Sequence, residues 1–463
     1  MFITSSQEHA TNCNRRHTRA PSRRNIVQRR ARVRRMYDEV GGNDARARSS
    51  AECSPSVTVT GKDARAYAYV AQGNAHCVFE YSGPRRELSD AYLRLRKRRK
   101  GGLNGPWRPT RIDALVWHLD EATSSWTDFD AVARREFFKR DDASSSVISR
   151  FAEEDEPIVA VTEDALETLV GIMSSDAKFT SESRRDGRVV CVDENFGQLS
   201  RVAAKSEYFR DAAPIYTVEI KPKSGVPIVA KDGKTTSRYR LHQKLKVARG
   251  ERAEESAYDP LDLFSADETR IRRAVDALFA CPQNNLRICR DGVVIFDGTT
   301  RGAANASDAI ADMRNLVPKL VRNASDVFDF ILTKQRLDAL GYATAHDIVT
   351  ELTDDTKKTN SITSDAIQSL RDFIVAQIAK DCAVVFTIRL DRASSSARPP
   401  NRVRVVNHPT DNGDDGIASF EAQIIDVSGK SLSKTFDWLT LNRDILDYSR
   451  ARDIPFCHAR CSF

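Results

Sequence analysis

The stretch that decides the fold reads IYTVEIKPK and runs from residue 215 to residue 223. Apolar and polar side chains alternate along its first six residues, which is typical of a strand with one buried face. Glu219 and Lys221 fall on the polar face, and Lys223 joins them if the strand persists. Pro222 cannot donate to a strand ladder, so the strand should end there or lie at a sheet edge. Taken alone, the stretch is better explained by a solvated edge strand than by a binding site.

A second row of cations follows shortly afterwards. Arg238, His242 and Lys246 are spaced i, i+4, i+8, which places them on one helical face, where like charges repel by roughly 0.2–0.5 kcal/mol per pair. A solvated helix face is one explanation. Because two cationic rows lie so close together in the sequence, a pocket for a polyanion is the better one. Arginine suits bidentate phosphate recognition, and lysine supplies a mobile point charge.

Polar residues at the ends of predicted elements add further candidates. Asn284 and Asn285 lie in a turn at residues 282–287 and could cap the backbone or hold a polar ligand. Asp381 precedes one apolar strand and Asp426 follows the next, an arrangement that kinase-like sites use for the base and the metal-binding aspartate. Most aspartates at strand ends simply form turns, so this pair gains weight only from the cationic rows.

A turn of small residues, AQGNAH at residues 71–76, lies between two strand-like segments. Its amide groups could approach phosphates, although an ordinary hairpin explains it equally well. Neither a Walker A sequence nor a G-x-G-x-x-G pattern occurs in the chain.

The rest of the chain alternates between strand-like and helix-like segments. Strands are predicted at residues 66–69, 76–81, 91–96, 188–192, 382–390 and 419–427. Helices are predicted around residues 166–173, after a capping box formed by Ser265 and Glu268, and around residues 367–378. The polar stretch 391–416 is predicted to be a loop.

Length and composition limit the class of protein. A chain of 463 residues is too long for one compact core and suits two lobes or two to three domains. No apolar run approaches the roughly 18 residues that a membrane span needs. The nine cysteines form no framework and no C-x-x-C pair, so we expect reduced thiols in an intracellular protein and no zinc site.

Charge is concentrated at the N-terminus, although the net charge is only +7. Ten arginines and one acidic residue, Glu8, lie between Met1 and Met36. Residues 1–55 are therefore predicted to be a disordered basic tail. A nuclear-localisation or nucleic-acid patch and an organelle transit peptide stay open as alternatives, so the compartment is nucleus, cytoplasm or an organelle.

Several blocks of sequence carry a resemblance to a known family. They are EIKPKSG at 219–225, RYRLHQ at 238–243 with Lys246 after it, YDPLDLFS at 258–265, PQNNLR at 282–287, AKDC at 379–382 and IDVS at 425–428. In this order they resemble the inositol-pentakisphosphate 2-kinases, and the resemblance extends roughly from Tyr67 to Tyr448. The Arg-rich tail lies outside it.

The resemblance implies a two-lobed α+β inositol-polyphosphate-kinase fold that is distantly related to protein kinases. Its expected activity is transfer of the γ-phosphoryl group of ATP to the 2-hydroxyl of inositol pentakisphosphate, with magnesium as cofactor and phytate as product. The nucleotide-binding N-lobe would cover residues 56–192, the C-lobe 193–450 and a C-terminal tail 451–463. Five phosphates of about −1.5 to −2 each would give the cationic rows a partner. We expect a monomer without a membrane span.

The resemblance also implies roles for individual residues. Asp381 would accept or orient the hydroxyl proton, and Asp426 would hold Mg2+. The ATP contacts would be Gly73, Asn74, Ala75, His76, Arg94, Glu219, Lys221 and Arg287. The inositol phosphate contacts would be Lys223, Arg238, His242, Lys246, Asn284, Lys430, Lys434 and Trp438. Lys434 stands where the family commonly has arginine, and Trp438 where tyrosine is usual.

Two other functions stay open. The family's glycine-rich turn usually reads G-E-G-x-A-N, and this chain departs from it at Ala71, Gln72 and His76, so a catalytically weakened inositol-phosphate-binding pseudokinase is one alternative. A nucleic-acid-binding protein that acts through the Arg-rich tail is the other.

Overall fold

The computed structural model describes residues 57–72, 76–89, 91–99, 108–139, 158–176, 188–190, 196–201, 209, 214–229, 235–298, 307–354, 363–391, 403–409 and 415–452. All of them lie in one compact unit, Pro55–Phe463. The predicted tail at residues 1–55, nearly all of the predicted tail at 451–463, and the turn residues Gly73, Asn74 and Ala75 lie outside the described residues.

The strands fall into two large sheets and one short pair. They are β1 (Thr58–Val59), β2 (Tyr67–Gln72), β3 (His76–Tyr81), β4 (Ala91–Arg99), β5 (Ile158–Val161), β6 (Arg188–Val190), β7 (Phe196–Arg201), β8 (Ile215–Ile220), β9 (Pro227–Val229), β10 (Thr235–Ser237), β11 (Leu286–Arg290), β12 (Val293–Phe296), β13 (Ala383–Asp391), β14 (Arg404–Pro409) and β15 (Asp415–Ile425).

The helices cover most of the remaining described residues. They are α1 (Gly61–Ala64), α2 (Arg86–Ser89), α3 (Arg111–Trp117), α4 (Trp126–Phe138), α5 (Glu163–Ser175), α6 (Arg238–Ala248), α7 (Pro260–Leu263), α8 (Glu268–Ala280), α9 (Ser307–Asn323), α10 (Ser325–Gln335), α11 (Gly341–Thr353), α12 (Ser364–Ala379) and α13 (Thr435–Arg450). Among the described residues, no helix has the length and apolar character needed to cross a membrane.

The first sheet has seven strands in the order β1-β5-β7-β4-β3-β2, and β6 pairs with β4 beside this path. Only β1 and β5 run parallel to each other among these pairs. Alternate residues of β3 and β4, such as Phe79 and Leu93, are fully buried in a core that also contains Leu169 of α5. The predicted helix around residues 166–173 is confirmed, since its apolar stripe forms one side of this core.

The second sheet has six antiparallel strands in the order β12-β11-β8-β13-β15-β14. Side chains from its buried face, including Val218, Phe386 and Phe420, share a larger core with helices that include α8, α10 and α12. β8 ends at Ile220, before Pro222, but it lies inside the sheet between β11 and β13. The edge-strand explanation is therefore wrong, and the mixture of helices with largely antiparallel sheets confirms the α+β class.

Two local predictions are wrong. Helix α8 is capped by Asp267, whose side chain accepts a hydrogen bond from the Thr269 amide, and not by Ser265. Aspartate caps a helix as well as serine does, and Ser265 instead accepts a hydrogen bond from the Asp267 amide. The stretch predicted as a loop at 391–416 contains strand β14, because β15 offers an unpaired edge there.

Helices α3 and α4 lie in the sequence range predicted for the N-lobe, but they pack elsewhere. Their buried side chains, such as Val116 and Phe129, belong to the core of the six-stranded sheet. This packing places the two helices beside the loop that follows β15, where they contribute to the site described next.

Candidate active site

The chemistry-bearing segments meet at one end of the six-stranded sheet. Ala383, at the start of β13, pairs with Ile425, at the end of β15. Val384 pairs with Ile220, at the end of β8. Since neighbouring strands run in opposite directions, the segment after β8, the turn before β13 and the loop after β15 all leave the sheet at this end.

Three lysines from these segments form ion pairs with the two aspartates. Nζ of Lys221 lies 2.8 Å from Oδ2 of Asp426. Asp381 has two partners, because Nζ of Lys223 lies 3.2 Å from its Oδ1 and Nζ of Lys430 lies 2.9 Å from its Oδ2. The two lysines of the E-x-K-P-K motif therefore reach different carboxylates.

The ion pairs shift the pKa values of the groups involved. Burial by itself would raise the pKa of Asp381, but the ammonium groups of Lys430 and Lys223 outweigh it and hold that pKa well below its usual range. The pKa of Asp426 is lowered in the same way, with Lys221 as the largest counter-charge. Burial would lower the pKa of Lys221, but Asp426 raises it above its usual value. Both aspartates are consequently ionised at neutral pH.

The backbone that carries these groups is held in an uncommon conformation. Lys223 has a φ of 62° and Asp426 a φ of 65°, a region that costs a residue with a side chain roughly 1–3 kcal/mol. Neighbouring elements hold the segment after β8. The Lys221 amide donates to the Asn285 carbonyl at 2.9 Å, and the buried Tyr258 hydroxyl donates to the Pro222 carbonyl at 2.8 Å.

Two buried aspartates that sequence reasoning missed hold the loop after β15. Oδ1 of Asp130, on α4, accepts a hydrogen bond from the Gly429 amide at 2.7 Å. Oδ1 of Asp113, on α3, accepts one from the Leu432 amide at 2.8 Å. Together they fix the backbone on both sides of Lys430. The capping pattern of Thr110 with Asp113 is visible in the sequence, but the partner more than 300 residues away is not.

Helix α6 brings the second cationic row to the same region. Burial lowers the pKa of His242 to about 3, and the charges of Lys246 and Arg238 add to the effect, so the imidazole is neutral at pH 7. Burial also lowers the pKa of Lys246. Lys223 contributes to the electrostatic repulsion at both His242 and Lys246. Lys223 therefore lies within electrostatic reach of His242 and Lys246 on α6.

A model of the family described as inositol-pentakisphosphate 2-kinase matches residues 69–444 of the chain. The chain belongs to this family. An inositol-pentakisphosphate 2-kinase from Arabidopsis thaliana is 27% identical over 272 residues, which cover 50% of this chain and 59% of that protein. Its counterpart from Oryza sativa subsp. indica is 28% identical over 273 residues, with the same coverage. One from Danio rerio is 42% identical over 94 residues, 19% of this chain and 20% of the relative.

These comparisons confirm the resemblance that the sequence blocks carry. The chain spans less than two-thirds of the length of the plant inositol-pentakisphosphate 2-kinases that it matches. Membership of the inositol-pentakisphosphate 2-kinase family is thus shown.

Of the residues predicted to contact ATP, Gly73, Asn74 and Ala75 lie outside the described residues. The described ones lie on the polar side of the six-stranded sheet, just after β8, and on β3 and β4. Arg287 and Glu219 are register partners on β11 and β8, and Nη1 of Arg287 lies 3.5 Å from Oε2 of Glu219. Nη2 of Arg94 lies 3.2 Å from Nδ1 of His76. Burial lowers the pKa of His76 well below its usual value, so the neutral ring can accept a hydrogen bond from Arg94. Arg94 also helps to lower the pKa of Asp426, which links β4 to the site.

The other predicted inositol phosphate contacts are Asn284, Lys434 and Trp438. Asn284 is exposed. The neighbouring Asn285 is buried, and its Nδ2 donates a hydrogen bond to the Tyr239 hydroxyl at 2.6 Å. Asn285 therefore holds the turn at residues 282–287 in place. Lys434 is exposed and ends a short 3-10 turn. The ring of Trp438 packs against Phe373 with centroids 5.9 Å apart, so most of its contact is with the core.

Arg238, the first residue of α6, is held by two groups from other helices. Its Nε donates to Oδ1 of Asn442 at 3.3 Å. Its guanidinium group lies 5.1 Å from the ring centroid of Tyr342. Such an arrangement fixes the guanidinium plane and leaves its remaining N–H groups available to a phosphate.

The donor set around Asp426 fits a magnesium ion that is shared with a nucleotide. Oδ2 of Asp426 accepts a hydrogen bond from Lys221, and Oδ1 accepts none from the residues that the structure describes. The described part of the chain holds no group of three or more His, Cys, Asp or Glu side chains that could enclose a metal. A metal at Asp426 would therefore take its other ligands from phosphates and water, which is how magnesium commonly binds in kinases.

Proposed function

We propose that this chain transfers the γ-phosphoryl group of ATP to the 2-hydroxyl of inositol 1,3,4,5,6-pentakisphosphate and so produces inositol hexakisphosphate. The observation that carries the proposal is the set of three lysines, Lys221, Lys223 and Lys430, that pair with Asp381 and Asp426 within electrostatic reach of α6. A substrate with five phosphates carries a charge of roughly −7.5 to −10 at neutral pH. A site that gathers cations from several separate elements around two carboxylates suits such a substrate better than it suits a neutral one.

The two sheets support a two-lobed, kinase-like arrangement. Each has its own apolar core, with Phe79 and Leu169 in one and Phe386 and Phe420 in the other. We infer that the seven-stranded sheet covers the nucleotide, and the contacts of residues 73–75 with ATP stay predictions. The six-stranded sheet would then supply the catalytic residues from its end.

The nucleotide would lie between these sheets. Lys221 and Arg94 both act electrostatically on Asp426, so phosphates bound next to this carboxylate would meet both cations. Arg287 and Glu219 lie one strand position further from the end. A magnesium ion held by Asp426 would neutralise charge on the β- and γ-phosphates.

The inositol phosphate would lie on the other side of Asp381. Lys223 and Lys430 lie on either side of this carboxylate, and His242 and Lys246 share the field of Lys223. The flexible lysine side chains can adjust their ammonium groups to the positions of phosphate oxygens, whereas Arg238 offers a planar guanidinium group for bidentate hydrogen bonds.

Asp381 is suited to handle the proton of the hydroxyl group. Its carboxylate is ionised and 58% of its side-chain surface is exposed, so a substrate hydroxyl can donate a hydrogen bond to it. As the hydroxyl oxygen forms a bond to the γ-phosphorus, the bond from that phosphorus to the β-phosphate oxygen breaks. The hydroxyl proton passes to Asp381, and ADP leaves. The chain's main contributions are position and charge neutralisation.

Incubation of the purified chain with ATP, magnesium and inositol pentakisphosphate tests the proposal when products are separated by phosphate number. We expect conversion of the pentakisphosphate to the hexakisphosphate with one ADP formed per product. Binding without turnover would instead favour the pseudokinase. Deletion of residues 1–55 is the companion variant, and we expect it to leave turnover unchanged. Intracellular location, a monomeric state and nucleic-acid binding by the tail stay predictions.

A further inference from the structure

We propose that Gln335 is a positioning residue that sets Lys223 against Asp381. The inference rests on the proposed function, because it assigns both partners to the phosphoryl-transfer site. Gln335 is the last residue of α10 and has no exposed surface. Nothing in the sequence around it, LTKQRLDAL at residues 332–340, indicates a role in the site.

The side-chain amide of Gln335 joins two catalytic segments. Its Nε2 donates to the Lys223 carbonyl at 2.8 Å and to the Ala379 carbonyl at 3.0 Å. Its Oε1 accepts a hydrogen bond from the Gly225 amide at 2.7 Å. Both N–H groups and the oxygen of the amide are thus used, with no solvent contact to compete.

These three hydrogen bonds connect the backbone on both sides of an ion pair. Ala379 ends α12 and lies two residues before Asp381. Lys223 carries the ammonium group that lies 3.2 Å from Asp381. Of the side chains in the described residues, Gln335 alone hydrogen-bonds the main chain of both segments. Tyr258 holds only the segment after β8, at Pro222.

The Lys223 backbone needs such a restraint. Its positive φ is unfavourable for a residue with a side chain, so the surrounding structure must hold it there. Gln335 accepts from Gly225 and donates to Lys223, and so fixes the peptide groups on either side of Ser224. If this restraint is lost, the segment can relax and carry the Lys223 ammonium group away from Asp381.

Glutamine suits the position because it offers two donors and one acceptor at this length. Glutamate has the same shape, but an ionised carboxylate would face two carbonyl oxygens. Methionine has nearly the same volume and makes none of the hydrogen bonds. The two replacements therefore remove the restraint in different ways while keeping the core filled.

The experiment compares Gln335→Met and Gln335→Glu with a control on the same helix. Ile331, one turn earlier, is fully buried in the same core, so Ile331→Ala weakens packing without touching the three hydrogen bonds. We expect both Gln335 variants to lose about 10-fold to 100-fold in kcat, with KM for ATP changed by less than about threefold. Ile331→Ala should keep kcat within about threefold at a similar loss in Tm. Equal losses of kcat in all three variants would overturn the proposal.

A double-mutant cycle with Lys223→Met tests whether Gln335 acts through Lys223. If it does, the double variant Gln335→Met/Lys223→Met should have a kcat within about twofold of that of Lys223→Met alone. Losses that multiply would contradict the proposal, because independent effects combine in that way.

Hydrogen exchange separates a failure of this inference from a failure of the proposed function. In Gln335→Met, the Gly225 amide should exchange at least about tenfold faster, while amides in the middle of α10 stay protected. This readout needs no substrate, so it holds even if the wild-type chain fails to phosphorylate inositol pentakisphosphate. Unchanged exchange at Gly225 would refute the role of Gln335 whatever the reaction is.

Discussion

Replacement of Lys223 by methionine should weaken inositol phosphate binding much more than ATP binding. The change keeps most of the apolar stem of the side chain and removes the ammonium group that lies 3.2 Å from Asp381. The matched control is Lys221→Met, two residues earlier in the same segment, which removes the ammonium group paired with Asp426. The two variants should therefore show opposite ligand preferences.

The magnitude follows from the local charges. Two unit charges about 4 Å apart interact by about 4 kcal/mol at the effective dielectric of a protein surface. The Lys223 ammonium group already interacts with Asp381, so its interaction with a phosphate contributes only part of this energy of about 4 kcal/mol to binding. The net contribution should be that of a charged hydrogen bond, about 1.5–3 kcal/mol. This corresponds to a rise in Kd for inositol pentakisphosphate of roughly 10-fold to 150-fold.

Isothermal titration calorimetry of both variants with each ligand measures the effect. The ionic strength must be the same throughout, because salt screens these interactions. For Lys223→Met we expect Kd for ATP with magnesium to change by less than about threefold, and for Lys221→Met we expect ATP binding to suffer more. Equal loss of both ligands in Lys223→Met would refute the assignment of the two lysines to different sides of the site.

Three further predictions concern catalysis, the segment after β8 and pH. Asp381→Asn should lower kcat by about 10²-fold to 10⁴-fold, while calorimetry still detects binding of inositol pentakisphosphate. A near-normal kcat would show that Asp381 does not take part in proton transfer. Tyr258→Phe leaves the Pro222 carbonyl without its buried hydrogen-bond donor and should lower the free energy of unfolding by about 1–3 kcal/mol in urea titrations. An unchanged urea midpoint would contradict the role of Tyr258 in holding the segment after β8. The pKa of His242 is about 3 in the folded chain and near 6.5 in the unfolded chain, so the unfolded chain binds more protons between these values. The free energy of unfolding should therefore fall from pH 7 to pH 5, and His242→Gln should flatten this slope. Identical slopes in both proteins would disprove the burial of a neutral imidazole.

The sequence predicted the local elements of the site well. Alternation placed Glu219 on the polar face of a strand, although Lys221 lies just after the end of that strand at Ile220, and the spacing of Arg238, His242 and Lys246 placed them on one helix. Both patterns follow from the fixed periods of strands and helices, which depend only on neighbouring residues. The apolar runs around Asp381 and Asp426 indicated strands for the same reason.

The two errors about strands have a common cause. Strand β14 was hidden because its six residues, RVVNHP, lie in a polar stretch, and only the edge of β15 makes them a strand. The edge-strand explanation for β8 failed because the partners β11 and β13 are supplied by segments far along the chain. Local composition carries no record of such partners.

By itself, the sequence determined the family, the α+β class, the two cationic rows and the two aspartates, because each depends on residue identity and short spacing. Only the tertiary structure decided which lysine faces which carboxylate, and which buried groups hold them. Asp113, Asp130 and Gln335 act on loops more than 40 residues away from them in the chain. Their value to the site comes from burial and from hydrogen bonds between distant backbone segments, and no local pattern encodes either property.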